Sequence, residues 1–332
     1  MLRQRYEPIL SYHLQRKRLG GSIKRLSNQA TASELARIIG ETVKAPKFSY
    51  TRGESLDQVL MLLNEYGEEG RILAGGQSLM PTLNMRLSNP KILIDINHLS
   101  ELNSISLNDD IVSIGALSRH SEVGRSPIVK RHLPLIADAI PHVAHIAVRN
   151  RGTFGGSVAL ADPAAELPAC VLALGGTLVL QSVRGIRKII ADDYFLGLYE
   201  TERKPDELLI EVQIPVQDPT ALSAFVELSQ RKGDYAIAGL AFVGTLENQL
   251  IKTAKLVYFG SETKPTLANN TMAVLTNTPW DDKTRELIAE TLGQDLDPMT
   301  NLQGSAKMKL HLQKVLTGRA IDLALEKAQA PR

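Results

Sequence analysis

Arg149-Asn150-Arg151-Gly152-Thr153-Phe154-Gly155-Gly156-Ser157 runs through Val158-Ala159-Leu160-Ala161 into Asp162-Pro163-Ala164-Ala165-Glu166-Leu167-Pro168. A Gly-Gly pair has no Cβ atoms, so its backbone can take positive φ, approach a ligand closely and offer successive N–H groups to an anion. Ser157 adds a hydroxyl, and a helix starting there adds the positive end of its dipole. A second turn of the same build, Ala74-Gly75-Gly76-Gln77-Ser78, follows the short strand-like run 71–74. Either turn alone reads as a strand-to-helix corner. Two of them, each ending in serine and set among alternating strand and helix patterns, predict one pyrophosphate gripped from two sides, and hence a dinucleotide. Neither fits Gly-x-x-x-x-Gly-Lys-Ser/Thr or a Gly-x-Gly-x-x-Gly opening a βαβ unit, which argues against an ATPase and a Rossmann-type nicotinamide site. Asp162 and Glu166 stand just beyond the second turn, where carboxylates can accept hydrogen bonds from ribose or ribityl hydroxyls. Asp162 can also cap the following helix, and Glu166 can favour its dipole.

Outward from the turns, residues 55–66 read as an amphipathic helix with Leu56, Val59, Leu60 and Leu63 on one face. Strands are predicted over 71–74, 92–96 and 111–117, a helix over 133–147 containing Pro141, and a helix over 164–174. Residues 177–183 and 187–191 form a hairpin turning at Arg184-Gly185, and 208–215 is a further strand. The polar stretch 216–220, with Pro215 before it and Pro219 within it, marks a domain boundary. Beyond it, strands over 224–228, 236–246 and 252–259 precede helices around 265–275, 281–292 and 305–328, the pattern of a small α+β domain. Residues 1–43 stand apart. They carry eight Arg or Lys against three Glu, the doublet Gly20-Gly21, and a short helix signal at 31–39 where Thr31 and Glu34 can make a capping box. The expected division is a basic extension over 1–43, a two-part cofactor domain over 44–220 and a C-terminal domain over 221–332.

With 43% hydrophobic and 22% charged residues among 332, the chain has the composition of an ordinary globular protein. A net charge of +2 is too small to imply nucleic acid or a membrane surface as partner. No run is apolar for long enough to span a bilayer, the N-terminus has no signal-like segment, and a cytoplasmic location is expected. Cys170, the single cysteine, lies in the apolar run 167–174 and reads as a buried small residue. One thiol excludes an internal disulfide and a cysteine-ligated iron–sulfur cluster within the chain. Asp138, His142 and His145 share a face of the predicted 133–147 helix, but no fourth ligand accompanies them and no metal site is assigned. No Ser/His/Asp or Cys/His set can be assembled either, so no catalytic residue is named.

The segments Lys44-Ala45-Pro46-Lys47-Phe48-Ser49-Tyr50, the turn 74–78, the turn beginning at Arg149, Asp162-Pro163-Ala164-Ala165-Glu166 and Lys232-Gly233-Asp234-Tyr235-Ala236 occur in this order. In that combination the chain resembles, over about 44–328, the FAD-binding medium subunit of the molybdenum hydroxylases, the group of carbon monoxide and xanthine dehydrogenases. The resemblance implies an α+β architecture: a two-subdomain FAD-binding domain of the vanillyl-alcohol-oxidase type, plus a small C-terminal domain with a three-stranded antiparallel sheet and helices. It implies that Ala74, Gly75, Gly76, Gln77 and Ser78, with Thr153, Phe154, Gly155, Gly156 and Ser157, hold the FAD pyrophosphate and neighbouring atoms. It places Asp162 and Glu166 beside ribityl or ribose hydroxyls, Leu209 on the strand passing the flavin, and Tyr235 near the isoalloxazine. The implied partners are a molybdopterin-binding large subunit and a two-iron two-sulfur small subunit in a dimer of heterotrimers, so molybdopterin and clusters belong to other chains. Two places depart from the pattern: the strand before the Gly-Asp-aromatic turn reads Phe225-Val226-Glu227-Leu228 where many such subunits have a lysine, and Met308 stands where a tyrosine is common. Typical members begin near Lys44, with Val43 here in the place of their initiating methionine, so 1–43 is expected to be dispensable for FAD binding, the rival reading being a basic arm that docks on an acidic partner subunit. The alternative is a self-contained FAD reductase related to the reductases of UDP-sugar cell-wall precursors.

Overall fold

The computed structural model describes residues 45–329, so the basic extension and its capping box lie outside the described residues. The chain begins with β1 (Ser49–Arg52), α1 (Leu56–Tyr66), β2 (Gly70–Leu73), α2 (Leu79–Asn84) and β3 (Ile92–Asp95), the strands pairing parallel in the order β1-β3-β2. Ser55 starts α1: its hydroxyl accepts from Gln58 N at 3.2 Å, and Gln58 Oε1 accepts from Glu54 N at 2.7 Å. The face foreseen for this helix is buried at Val59, Leu60 and Leu63, against Ile92, Ile94 and Ile96. β1 escaped the sequence reading because Ser-Tyr-Thr-Arg is largely exposed and carries no apolar alternation.

A second subdomain follows. β4 (Ile105–Asn108) and β5 (Ile111–Gly115) lead into the short helices α3 (His120–Arg125), α4 (Pro127–His132), α5 (Pro134–Ala139), α6 (Ile146–Arg149), α7 (Phe154–Leu160) and α8 (Glu166–Ala173). Then come the hairpin β6 (Thr177–Ser182) and β7 (Gly185–Ile190), α9 (Ala191–Tyr194), β8 (Phe195–Gly197), β9 (Glu200–Thr201) and β10 (Leu208–Pro215). Five of these strands make an antiparallel sheet in the order β4-β5-β10-β6-β7. β11 (Leu222–Leu228), β12 (Ala238–Glu247) and β13 (Leu250–Phe259) then form an antiparallel meander. The two-residue strands β14 (Thr266–Leu267) and β15 (Thr278–Pro279) both pair with β13. α10 (Asn269–Leu275), α11 (Asp282–Asp295) and α12 (Ala306–Gln329) complete the chain, with Leu292, Ala320 and Ile321 packing on the sheet. The meander also joins the preceding subdomain: Phe225, Ala241, Val257 and Phe259 belong to the same core as Ile136, Leu167, Cys170 and Val171.

Three sequence expectations are corrected. The helix over 133–147 is two pieces, because Pro141 cannot continue α5 and Ala144 turns the chain at φ 43°. Arg149 Nη1 holds that turn, donating to Val143 O at 2.9 Å and Ala144 O at 2.6 Å. The helix expected from residue 164 starts at Glu166, after a turn in which Ala164 N and Ala165 N bond to Asp162. The segment around 265–275 opens as β14, and its helix begins at Asn269.

Candidate functional site

The first glycine turn hangs between β2 and α2, and Gly76 takes φ 68°, which no β-branched residue adopts readily. A Cβ on Gly75 would lie 2.5 Å from Arg151 O and 2.8 Å from Gly152 Cα. The back of the first turn therefore rests on the entrance to the second. The N–H groups of Gly75, Gly76, Gln77 and Ser78 have no acceptor among the described residues, which leaves four successive donors for an anion. Their carbonyl sides are held: Asn97 Nδ2 donates to Ala74 O at 2.8 Å and Leu73 O at 3.3 Å, and Gln77 Nε2 donates to Gly75 O at 3.0 Å.

The second turn is built differently. Thr153 caps α7 with its Oγ1 accepting from Gly156 N at 3.1 Å. Phe154 N and Gly155 N donate to Ser118 O and Ala116 O at 2.8 and 3.0 Å, and Ser157 N donates to Thr153 O at 3.1 Å. Its backbone donors are thus engaged within the protein, which corrects the expectation that both turns offer N–H groups to an anion. What it offers is room. Gly156 is exposed and a Cβ there would meet only the Thr153 side chain, whereas one on Gly155 would strike Ala116 at 2.5 Å. The half-buried Ser157 follows, while the side chains of Thr153 and Phe154 are buried beneath.

Beyond α7 the surface turns acidic and dry. Asp162 is 8% exposed; its Oδ1 accepts from Ala164 N at 2.9 Å and its Oδ2 from Tyr199 Oη at 3.2 Å. The expected helix cap at Asp162 is corrected here, since Ala165 occupies the N-cap of α8 and Asp162 closes the turn before it. Glu166 does sit in the first turn of α8, where its charge meets the helix dipole. Burial raises the Asp162 carboxyl above its usual range against these donors, and pushes Glu166 up to about 7 with help from the Asp162 charge. A carboxyl raised to about 7, as at Glu166, can donate as well as accept, which suits recognition of hydroxyl groups. Tyr235 precedes β12 and is 60% exposed; burial of its hydroxyl and the charges of Asp162 and Glu166 raise its pKa. Leu209 lies on β10 with its side chain in the core, so any cofactor contact there falls to its backbone.

Sequence reasoning passed over Asn97, Arg119 and Tyr199. Asn97 left a faint signal, an Asx residue two places after the carboxylate that ends an apolar strand, whereas Tyr199 reaches Asp162 only through tertiary folding. The grouping of Asp138, His142 and His145 dissolves with the broken helix. Asp138 takes Lys327 Nζ at 2.5 Å, His142 faces Glu227 and Phe225, and His145 lies under Gly233. No group of three His, Cys, Asp or Glu fit to hold a metal occurs among the described residues. No helix among them is long and apolar enough to cross a membrane.

A parallel subdomain ending in a turn of free donors, an antiparallel one meeting it with an open glycine, and an acidic wall beyond define a dinucleotide-binding fold suited to a flavin. Residues 46–217 match the family described as the FAD binding domain in molybdopterin dehydrogenase, and 223–324 match the CO dehydrogenase flavoprotein C-terminal domain. The chain belongs to this family of FAD-binding oxidoreductase subunits. It is 35% identical to the 6-hydroxypseudooxynicotine dehydrogenase complex subunit alpha of Paenarthrobacter nicotinovorans, over 86% of this chain and 97% of that one. It is 30% identical to the carbon monoxide dehydrogenase medium chain of Hydrogenophaga pseudoflava, over 84% and 97%. Among solved structures, quinoline 2-oxidoreductase from Pseudomonas putida 86 superposes with TM-score 0.82 at 36% identity, covering 86% of this chain and all of that one.

Proposed function

We propose that this medium subunit carries electrons between iron–sulfur clusters on a partner chain and an external acceptor, within a molybdopterin-dependent dehydrogenase. The observation that carries the reading is the first turn, whose four N–H groups have no acceptor among the described residues and which packs against the segment leading to the open Gly156. In this reading Ala74, Gly75, Gly76, Gln77 and Ser78 hold the pyrophosphate, and Gly156 and Ser157 let it approach α7. Asp162 and Glu166 receive sugar or ribityl hydroxyls, Leu209 contributes backbone, and Tyr235 covers the ring system and sheds water. FAD supplies the redox chemistry when bound, and the chain's own part is to bind, orient and shield.

The division of labour follows from what the chain lacks. Cys170 is fully buried, and burial raises its thiol pKa well above the usual value, so it can serve neither a cluster nor a covalent flavin link. A molybdopterin-binding large subunit and a two-iron two-sulfur small subunit complete the reading, assembled as a dimer of heterotrimers. Matches over nearly the whole length of medium subunits support it over a self-contained reductase. Within the chain, 44–220 forms the cofactor domain and 221–332 the domain that closes it.

The test uses the purified chain. It is expected to carry one FAD, released intact by denaturation, and to oxidise no aldehyde, N-heterocycle or carbon monoxide with a dye acceptor until partners are added. Robust turnover by the chain alone would overturn the assignment.

A further inference from the structure

The first turn can hold an anion only if its peptide planes are already aimed, and the structure shows what aims them. In a planar trans peptide the carbonyl and the N–H point in opposite directions, so a donor fixed on the carbonyl directs the N–H outward. Asn97 Nδ2 is that donor for the Ala74–Gly75 peptide, and Gln77 Nε2 serves the Gly75–Gly76 peptide. Asn97 is itself held. Its backbone N and its Nδ2 donate to Asp95 Oδ1 at 2.9 and 2.7 Å, and Tyr50 Oη donates to Asp95 Oδ2 at 2.7 Å. Its remaining polar atom, Oδ1, accepts from Arg119 Nη2 at 2.7 Å.

Arg119 reaches the other turn as well. Its Nη1 donates to Arg151 O, the same carbonyl that Gly75 packs against. Its backbone pairs with Thr153 as an antiparallel bridge, and Glu122 Oε2 accepts its N–H at 2.9 Å. One guanidinium thus bonds directly to the segment entering the second turn and, through one amide, to the carbonyl face of the first. We propose that Arg119 and Asn97 are positioning residues for FAD, preorganising the first turn and fixing its distance from the second. Neither offers its bonded polar atoms to the cofactor; both act through the turns. The inference rests on the first turn being a cofactor-binding segment.

The test is reconstitution of the apo chain with FAD, followed by flavin fluorescence, alongside apoprotein melting. Asn97→Ala, Asn97→Asp and Arg119→Ala should each weaken FAD binding by about tenfold or more, since preorganising bonds to backbone are lost. Asn97→Asp matters because it keeps an acceptor for Arg119 but loses the donor to Ala74. Arg119→Lys, which keeps one of the two bonds, should fall between Arg119→Ala and the parent chain. The Asn97→Ala/Arg119→Ala pair should cost little more than the worse single change, as expected of one relay. Arg125→Ala, at an exposed charge on α3, the helix that Arg119 precedes, should bind FAD as the parent does. Affinities within twofold of the parent, or losses that only track a lowered melting temperature of the apoprotein, overturn the proposal. Retention of FAD by Gly76→Val is a separate result, for it would remove the assignment of the turn itself.

Discussion

Gly156 shows how one missing methyl separates folding from binding. Gly155, one residue earlier, lacks a Cβ because Ala116 occupies that space, a requirement of the fold. At Gly156 the protein leaves the space empty apart from the capping Thr153 hydroxyl, 2.6 Å from where a Cβ would stand. Gly156→Val should therefore abolish FAD binding while costing the apoprotein only about 1 kcal/mol through the disturbed cap. Fluorescence titration and urea unfolding of the same sample check both halves, and tight FAD binding by the folded variant would refute the role. His120 makes a different case. Its side chain is buried with Nδ1 unpartnered, and burial, aided by the charges of Arg149 and Arg119, lowers its pKa to about 4. A folded pKa below the unfolded one contributes stability that is present above about pH 6.5 and lost as pH falls through about 4. The full span is roughly 3 kcal/mol, of which about 2 kcal/mol is gone by pH 5. Between pH 7 and 5, His120→Gln apoprotein should lose less stability than the parent, measured by urea titration at each pH.

Elements with strong periodicity or clear punctuation were legible, and those made by tertiary pairing were not. α1 could be read from the stripe of Leu56, Val59, Leu60 and Leu63 because that signal is local. β14 could not: Thr266 and Leu267 are a strand only because they lie beside Tyr258 and Val257 on β13. The single helix expected over 133–147 is absent for the converse reason: broadly spread apolar residues describe a buried segment of any shape, and Pro141 stops α5. The glycine turns were legible as a pair, yet not their unequal roles, because the acceptors Ser118 O and Ala116 O come from a distant segment. The C-terminal helices hold one cap that no local pattern announces. Asp295, the last residue of α11, accepts from Asn270 N, Asn270 Nδ2, Thr271 N and Thr271 Oγ1 at 2.7–3.0 Å, closing the start of α10. Asp295→Ala should cost roughly 1–2 kcal/mol of stability, as a lost cap with several donors does. Because this cap is made within the C-terminal helices, the FAD dissociation constant should stay unchanged. A large loss of FAD affinity without a loss of stability would contradict that separation.

For the whole molecule, the seam between the cofactor subdomains and the C-terminal sheet governs how the chain behaves as pH rises. The core runs through it without a break, with Phe225 stacked on Phe259 at 5.4 Å and His142 tilted against Phe225 at 5.1 Å. Into this apolar seam the strand β11 brings Glu227, its side chain 2% exposed and its Oε2 without a hydrogen-bond partner. His142 Nδ1 stands 3.9 Å from that oxygen, beyond a hydrogen bond. Burial raises Glu227 to about 8, assisted by the charge of Glu166, while burial and the nearby Lys232 lower His142. Both groups are thus held toward their neutral forms and make no ion pair with each other, while the ion pair that does cross the seam, Lys327 with Asp138, lies at its partly exposed edge. A carboxyl whose folded pKa lies above its unfolded value stabilises fully below about pH 4.5, and that contribution is lost as pH rises through about 8. Glu166, raised to about 7, acts in the same direction. Parent apoprotein should accordingly melt at falling temperature between pH 6 and pH 9. Glu227→Gln, which keeps the shape and removes the ionisation, should fall less and melt above the parent at pH 9. Melting curves of the two proteins at pH 6, 7.5 and 9 make the comparison, with a single cooperative transition expected throughout because the core is shared. Parallel pH dependence in the two proteins would show that Glu227 ionises in the folded chain as freely as in water, and that the seam is wet.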